Sequence, residues 1–187
     1  GRPELYYGES EMGYVVVNTT VQEFDYPKGD DNKFSTYEGS GGVEMGGFFG
    51  RLAFAIRFRD INLLLSNYLV PTSRVMLRRQ IHDRVEAIAP YLQYDSDPYL
   101  VISEGRLFWI LDAYATTDMY PYSTRGGRTY VNYIRNSVKV VMDAYDGTVT
   151  FYRMDRQDPI IAAYDAMFPG LFVPAETMPT DLKTHLR

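Results

Sequence analysis

The chain has 187 residues, of which 45% are hydrophobic and 23% charged, and its net charge is −5. This composition fits one soluble globular domain, and no apolar run reaches the roughly 18 residues that a membrane-spanning helix needs. The absence of cysteine excludes disulfides and thiolate chemistry, and the only histidines, His82 and His185, are too far apart in sequence to suggest a zinc site. We therefore expect no metal and no cofactor.

The first fifty residues predict strands followed by a long loop. The β-branched stretch 13–24 is typical of strands, whereas residues 25–47 contain six glycines together with Pro, Asp, Asn and Ser. The first fifty residues hold nine acidic groups and three basic ones, and residues 51–84 hold seven arginines and two aspartates. Because the overall pI is near 5.0, we do not expect a nucleic-acid partner.

Two helices are predicted next, over residues 48–69 and 74–89. The first is apolar around most of its circumference, which indicates either burial or contact with a partner. We expect it to present unburied apolar side chains or to self-associate, and the candidate interface residues are Phe48, Phe54, Phe58 and Leu64.

The second half of the chain predicts hairpins over 99–114 and 136–154. In the second hairpin, Asp146-Gly147 suits a type I′ turn, which requires positive φ. A further helix over 158–168 should begin with Asp158 as its N-cap and Pro159 as its first residue. The predicted fold class is α+β, with an antiparallel sheet from about residues 99–154 packed against the helices 48–69, 74–89 and 158–168.

The triplet Asp-Ala-Tyr occurs twice, in "LDAYATTDM" (111–119) and "VMDAYDGTV" (142–150), each time after an apolar run. Aligning the triplets superimposes the apolar positions of the two strands, so the repeat fits two strands of one sheet. The alternative is a functional pair: Asp112 and Asp143 as carboxylates for acid–base or cation chemistry. The candidate binding residues are Asp112, Tyr114, Asp143 and Tyr145, and no candidate catalytic residue stands out.

Tyrosines are frequent in the strand-rich half, and most fit sheet and core positions. Segment 114–133 is the most tyrosine-rich part, and it leaves open a surface that recognises a glycan, a peptide or a lipid.

Four long stretches carry a family resemblance. They are "EFDYPKGDDNKFSTYEGSGGV" (23–43), "RLAFAIRFRDINLLLS" (51–66), "DPYLVISEGRLFWILDAYATTDMYPYS" (97–123) and "NYIRNSVKVVMDAYDGTVTFYRMDRQDPIIAAYDAMFPGLF" (132–172). Together they resemble uncharacterised protein family 0182, large bacterial membrane proteins in which transmembrane helices precede a large soluble region.

The resemblance implies that residues 1–187 form a single soluble domain, excised from the soluble region of such a protein. It implies a parent in the cell membrane, an extracytoplasmic position for this domain, and the remainder of the parent as its partner. It supplies no activity and no catalytic residues. The expected function is non-catalytic, in assembly or partner binding, with envelope-ligand recognition and a carboxylate enzyme or metal site at Asp112/Asp143 as alternatives.

Overall fold

The computed structural model of the protein describes residues 4–10, 13–28, 31–124 and 130–187. Its strands are β1 (Val15–Val17), β2 (Glu23–Lys28), β3 (Asp31–Ser35), β4 (Val43–Glu44), β5 (Arg74–Met76), β6 (Gln93–Tyr94), β7 (Tyr99–Ser103), β8 (Arg106–Thr117), β9 (Tyr133–Asp143), β10 (Val149–Arg153) and β11 (Phe172–Pro174). Its α-helices are α1 (Phe48–Phe58), α2 (Asn62–Leu65), α3 (Ile81–Ile88), α4 (Pro159–Met167) and α5 (Thr180–Thr184), and a 3₁₀ turn covers Ala175–Thr177.

The sequence predicts a single domain. In the structure the chain divides into two compact units. Unit 1 contains Gly1–Ser10 and Gln80–Arg187, and unit 2 contains Glu11–Arg79. The main sheet of unit 1 has the order β11-β10-β9-β8-β6, with β7 also paired to β8. Its pairs are antiparallel except β10 with β11. The predicted α+β class is confirmed.

Both predicted hairpins form, as β7–β8 and β9–β10, and the repeated strands β8 and β9 lie side by side. Leu111 is opposite Val140 and Trp109 is opposite Met142, so the two apolar sets share one face of the sheet. Leu111, Val140 and Met142 are fully buried. The opposite face is also covered, because Ile110 packs in a cluster with Leu182 of α5.

Helix α4 begins as the sequence predicts. Asp158 is its N-cap, and its carboxylate accepts the backbone N–H groups of Ile160 and Ile161 at 2.8 and 3.2 Å. The same carboxylate accepts the hydroxyl of Ser137 on β9. Since Asp158 is fully buried, this one side chain fastens the helix start to the sheet.

Unit 2 corrects the prediction of one continuous helix over 48–69. Helix α1 ends at Phe58 because Arg59 adopts the left-handed conformation, with φ 55°. The short helix α2 follows, and the Arg51 side chain donates to three carbonyl oxygens around its end at 2.6 to 3.0 Å. These carbonyls would otherwise lack helical partners, so Arg51 holds α2 beside α1.

The turn between α1 and α2 carries a short polar contact. The Tyr14 hydroxyl donates to the Asp60 carboxylate at 2.6 Å, and that carboxylate also accepts the Asn62 N–H at 2.9 Å. The hydrogen bond to Asp60, together with burial, raises the pKa of Tyr14 to about 12. The same hydrogen bond lowers the pKa of Asp60 below its ordinary value. The contact therefore anchors β1 to the turn.

The predicted helix over 74–89 is wrong in its first half. Residues Arg74–Met76 form β5, which pairs with β1 and β4, and the helix starts only at Ile81 with Gln80 as its N-cap. The reason is tertiary pairing, because Val75 and Met76 are fully buried within this small sheet. The partner strands β1 and β4 are distant in sequence from β5. Pairing with them outweighs the helical periodicity of residues 74–76.

The predicted loop over 25–47 contains ordered pairing. Strands β2 and β3 form an antiparallel ladder, which uses backbone groups and so tolerates polar residues. Further along, the Arg74 guanidinium donates to the carbonyl oxygens of Ser40, Gly41 and Gly42 and to Glu44. The Arg74 side chain thus holds the glycine-rich segment through its backbone carbonyl groups.

Candidate functional site

The structure does not bring the two repeated aspartates together. In the β8–β9 register Asp112 is opposite Lys139, whereas Asp143 is opposite Phe108. Four residues of strand separate the two positions, which is about 13 Å at the usual rise. Paired catalytic carboxylates lie roughly 5 to 10 Å apart. Each carboxylate instead contacts its own cation, Lys139 for Asp112 and Arg106 for Asp143.

Asp143 shapes the hairpin turn. One of its oxygens accepts the backbone N–H groups of Tyr145 and Asp146 at 2.8 and 3.0 Å, and the other accepts the Arg106 guanidinium. Tyr145 is buried, with its ring edge-on to Tyr6 at 5.3 Å. Asp143 borders a cavity of about 340 Å³, where the Arg106 guanidinium pairs with both Asp143 and Asp146, whereas Tyr145 does not line it. Their geometry is that of a structural turn.

Asp112 forms an ion pair with Lys139, its cross-strand partner, and accepts the Asn136 amide at 3.0 Å. Lys139 is buried on the sheet. A buried ammonium needs a counter-charge, so the role of Asp112 in the described structure is to neutralise Lys139.

The tyrosine-rich segment 114–133 lies only partly within the described residues, because 125–129 are outside them. Tyr120 and Tyr133 stack with centroids 4.6 Å apart, and Tyr122 and Tyr130 are exposed. Tyr114 instead points its hydroxyl to the Asp95 carboxylate, at 3.3 Å. Burial and this carboxylate raise the pKa of Tyr114 above its ordinary value.

A cleft of about 700 Å³ lies beside α3 in unit 1, and we call it the α3 cleft. Its volume is in the range of small-ligand sites. Its lining combines helix α3, the segment after it and one residue of β8. The lining residues are His82, Glu86, Pro90, Tyr91, Leu92, Gln93, Tyr94, Asp95, Ser96 and Thr116.

Asp95 is held at the edge of this cleft from several sides. Its backbone N–H donates to the Asp112 carbonyl at 2.9 Å, and its carbonyl receives the His82 Nε2–H at 2.7 Å. Its carboxylate accepts the Tyr114 hydroxyl and, at 3.2 Å, the Asp97 N–H. Asp112 and Tyr114 are two of the four candidate binding residues from the repeat. Both hold Asp95 in place by hydrogen bonds.

Sequence reasoning missed the α3 cleft. The sequence pattern assigns no site to His82 or Asp95. The available signal was local: Tyr91, Tyr94 and Asp95 follow directly after the helix-ending Pro90.

Unit 2 exposes a set of large apolar side chains on α1, α2 and the turn between them, which we call the α1–α2 apolar face. Phe49 and Ile56 lie seven residues apart on one side of α1. The face comprises Phe48 (62% exposed), Phe49 (83%), Ile56 (69%), Ile61 (59%) and Leu65 (68%).

Of the four predicted interface residues, Phe48 belongs to this face. Phe54, Phe58 and Leu64 are half-buried and pack on the core of unit 2, around Leu63. The five exposed side chains together present on the order of several hundred Å². Apolar patches of that size usually mark an interaction surface.

Within the described residues, no cluster of three or more His, Cys, Asp or Glu side chains is arranged to hold a metal ion. None of the helices in those same ranges has both the length and the apolar character needed to cross a bilayer.

A family model described as "Uncharacterised protein family (UPF0182)" matches residues 1–187. Similar curated proteins share the name UPF0182 protein. The one from Pelotomaculum thermopropionicum is 55% identical over 186 residues, covering 100% of this chain and 20% of that protein. Those from Desulforamulus reducens and Cupriavidus necator are 52% and 51% identical, over 100% and 99% of this chain and 20% of each protein. The chain spans about a fifth of the length of these relatives, and no solved structure matches it significantly.

Proposed function

Because the chain belongs to the uncharacterised protein family UPF0182, we propose that it serves as a non-catalytic, extracytoplasmic part of a longer membrane protein. In this proposal its role is assembly, and the α1–α2 apolar face docks onto another part of the same protein.

The α1–α2 apolar face is the observation that carries the proposal. Burying Phe49 and Ile56 alone would contribute about 3 to 6 kcal/mol to docking. The relatives are about five times longer than this chain, so such a protein has other segments that could supply the opposing surface. The membrane and extracytoplasmic positions rest on the family resemblance of the sequence.

The non-catalytic part of the proposal is supported by how the carboxylates of the main sheet are used. Asp112 neutralises Lys139, Asp143 pairs with Arg106, and Asp158 caps α4. Each of these groups has a structural partner.

The proposal is tested by the double substitution Phe49→Asp with Ile56→Asp. In the longer membrane protein we expect assembled protein to fall about tenfold or more, because two charges would face an apolar partner. In the isolated 187-residue chain the unfolding free energy should change by less than about 1 kcal/mol, since both side chains are exposed. Quantitative immunoblotting of membranes and urea denaturation measure the two effects.

Met119→Asp is the matched control, because Met119 is 80% exposed but lies in unit 1, outside the α1–α2 apolar face. Equal accumulation of the double variant and the control would refute a docking role for this face.

A further inference from the structure

We propose that the α3 cleft binds a primary ammonium group carried on a short alkyl chain. The α3 cleft lies in unit 1, and its ligand is independent of the role proposed for the α1–α2 apolar face.

The charge of the cleft selects the class of ligand. Its described lining includes the carboxylates of Glu86 and Asp95 and contains no lysine or arginine. Both ring nitrogens of His82 face groups of the protein itself, Nε2 the Asp95 carbonyl at 2.7 Å and Nδ1 the Gln80 amide at 3.4 Å. The cleft is therefore negative, and phosphates and carboxylates would be repelled.

The free hydrogen-bonding capacity also points to a donor-rich cation. Among the described residues Glu86 has no hydrogen-bond or ion-pair partner, and two contacts leave lone pairs free on the Asp95 carboxylate. A neutral ligand would desolvate these carboxylates without neutralising them, which is unfavourable. An ammonium group offers three donors and a full positive charge.

The apolar part of the lining suits a short alkyl stem. Leu92 and Tyr91 line the cleft, and the Tyr91 ring is fixed by stacking on Phe168, with centroids 5.1 Å apart.

The position of Asp95 is set before any ligand arrives. Contacts from α3 and β8, through His82, Tyr114 and the Asp112 carbonyl, hold its backbone and carboxylate. A group held in place loses little freedom on binding, so Asp95 is the orienting ligand and Glu86 the second charge.

The test is a titration of the 187-residue chain, followed by the backbone amide NMR signals of residues 82–96. We expect n-butylamine to shift these signals saturably, and n-butanol and butyrate, of matched size, to leave them unchanged. Glu86→Gln and Asp95→Asn should each weaken n-butylamine binding about tenfold or more. Glu104→Gln, an exposed acid on the β7–β8 turn that does not line the cleft, should change it less than twofold.

Two further ligands identify the source of the ammonium group. Tighter binding of 1,4-diaminobutane than of Nα-acetyl-lysine methylamide assigns a free diamine, and the reverse order assigns a lysine side chain of a polypeptide. Glu86→Gln is the decisive variant, because an exposed helical position tolerates it. The proposal is overturned if folded wild-type protein fails to bind n-butylamine up to about 10 mM, if n-butanol binds equally, or if Glu86→Gln binds like wild type.

Discussion

Replacing Gly147 with alanine should lower the unfolding free energy by about 3 kcal/mol. Gly147 has φ +69°, where an alanine costs roughly 1 to 2 kcal/mol. A Cβ at this position would lie 2.5 Å from carbon atoms of the Tyr7 ring. Overpacking of this kind adds about 1 to 3 kcal/mol.

The Tyr7 ring cannot easily move away from such a methyl group. It is fully buried, its backbone N–H donates to the Ala144 carbonyl, and its carbonyl receives the Trp109 Nε1–H at 3.1 Å. The Arg84 guanidinium lies 4.7 Å from the ring centroid and donates to the Gly147 carbonyl at 2.6 Å. The hairpin turn is thereby fixed to the segment before Ser10.

Gly170→Ala is the matched control for this prediction. Gly170 has φ +85° but no atom within 4 Å of an added Cβ. Its replacement by alanine should therefore cost only the free energy of placing alanine at a positive φ. Urea denaturation of both variants measures the difference. If Gly147→Ala costs no more than Gly170→Ala, the packing of Tyr7 on the turn is not as described.

Replacing Asp158 with alanine should also cost about 3 kcal/mol. Loss of an N-cap accounts for about 1 to 2 kcal/mol. The buried Ser137 hydroxyl would lose its acceptor, which adds about 1 to 3 kcal/mol. The measurement is again the urea midpoint and slope.

Asp155→Ala tests whether this loss is specific to the cap. Asp155 lies in the same connection and accepts the Gln157 N–H at 2.8 Å, but its ion pair with Arg135 is partly exposed to solvent. We expect it to cost less than about 1 kcal/mol. Similar losses for the two alanine variants would contradict a special role for Asp158.

The parts of the fold that the sequence predicts correctly are those with local causes. Asp158-Pro159 determines the start of α4 through its own backbone preferences. Asp146-Gly147 lies in the β9–β10 turn as predicted, but the type I′ assignment is wrong: only Gly147 has a positive φ, and its N–H donates to the Asp143 carbonyl within a longer loop. The alternation of apolar residues along β8 and β9 likewise indicates which side chains share one buried face of the sheet. The resemblance to the family is confirmed by a match over the whole chain.

The errors arise where the cause is distant in sequence. Helix α1 stops because Arg59 takes a positive φ, which no residue preference for arginine signals. β5 is a strand because β1 and β4 lie on either side of it. The α3 cleft needs His82, Asp95 and Tyr114 to meet, and no sequence spacing shows that.

Cysteine labelling measures whether the α1–α2 apolar face is covered in the longer protein. The 187 residues contain no cysteine, so Ile56→Cys and Glu104→Cys each introduce a single thiol here once any cysteines elsewhere in the longer protein are replaced by serine. Glu104→Cys is the exposed reference site. With a membrane-impermeant maleimide on intact cells, we expect Glu104→Cys to react and Ile56→Cys to stay protected until denaturant is added. Both should react readily in the isolated chain. If Ile56→Cys in the assembled protein reacts as fast as in the isolated chain, the face is not an assembly surface.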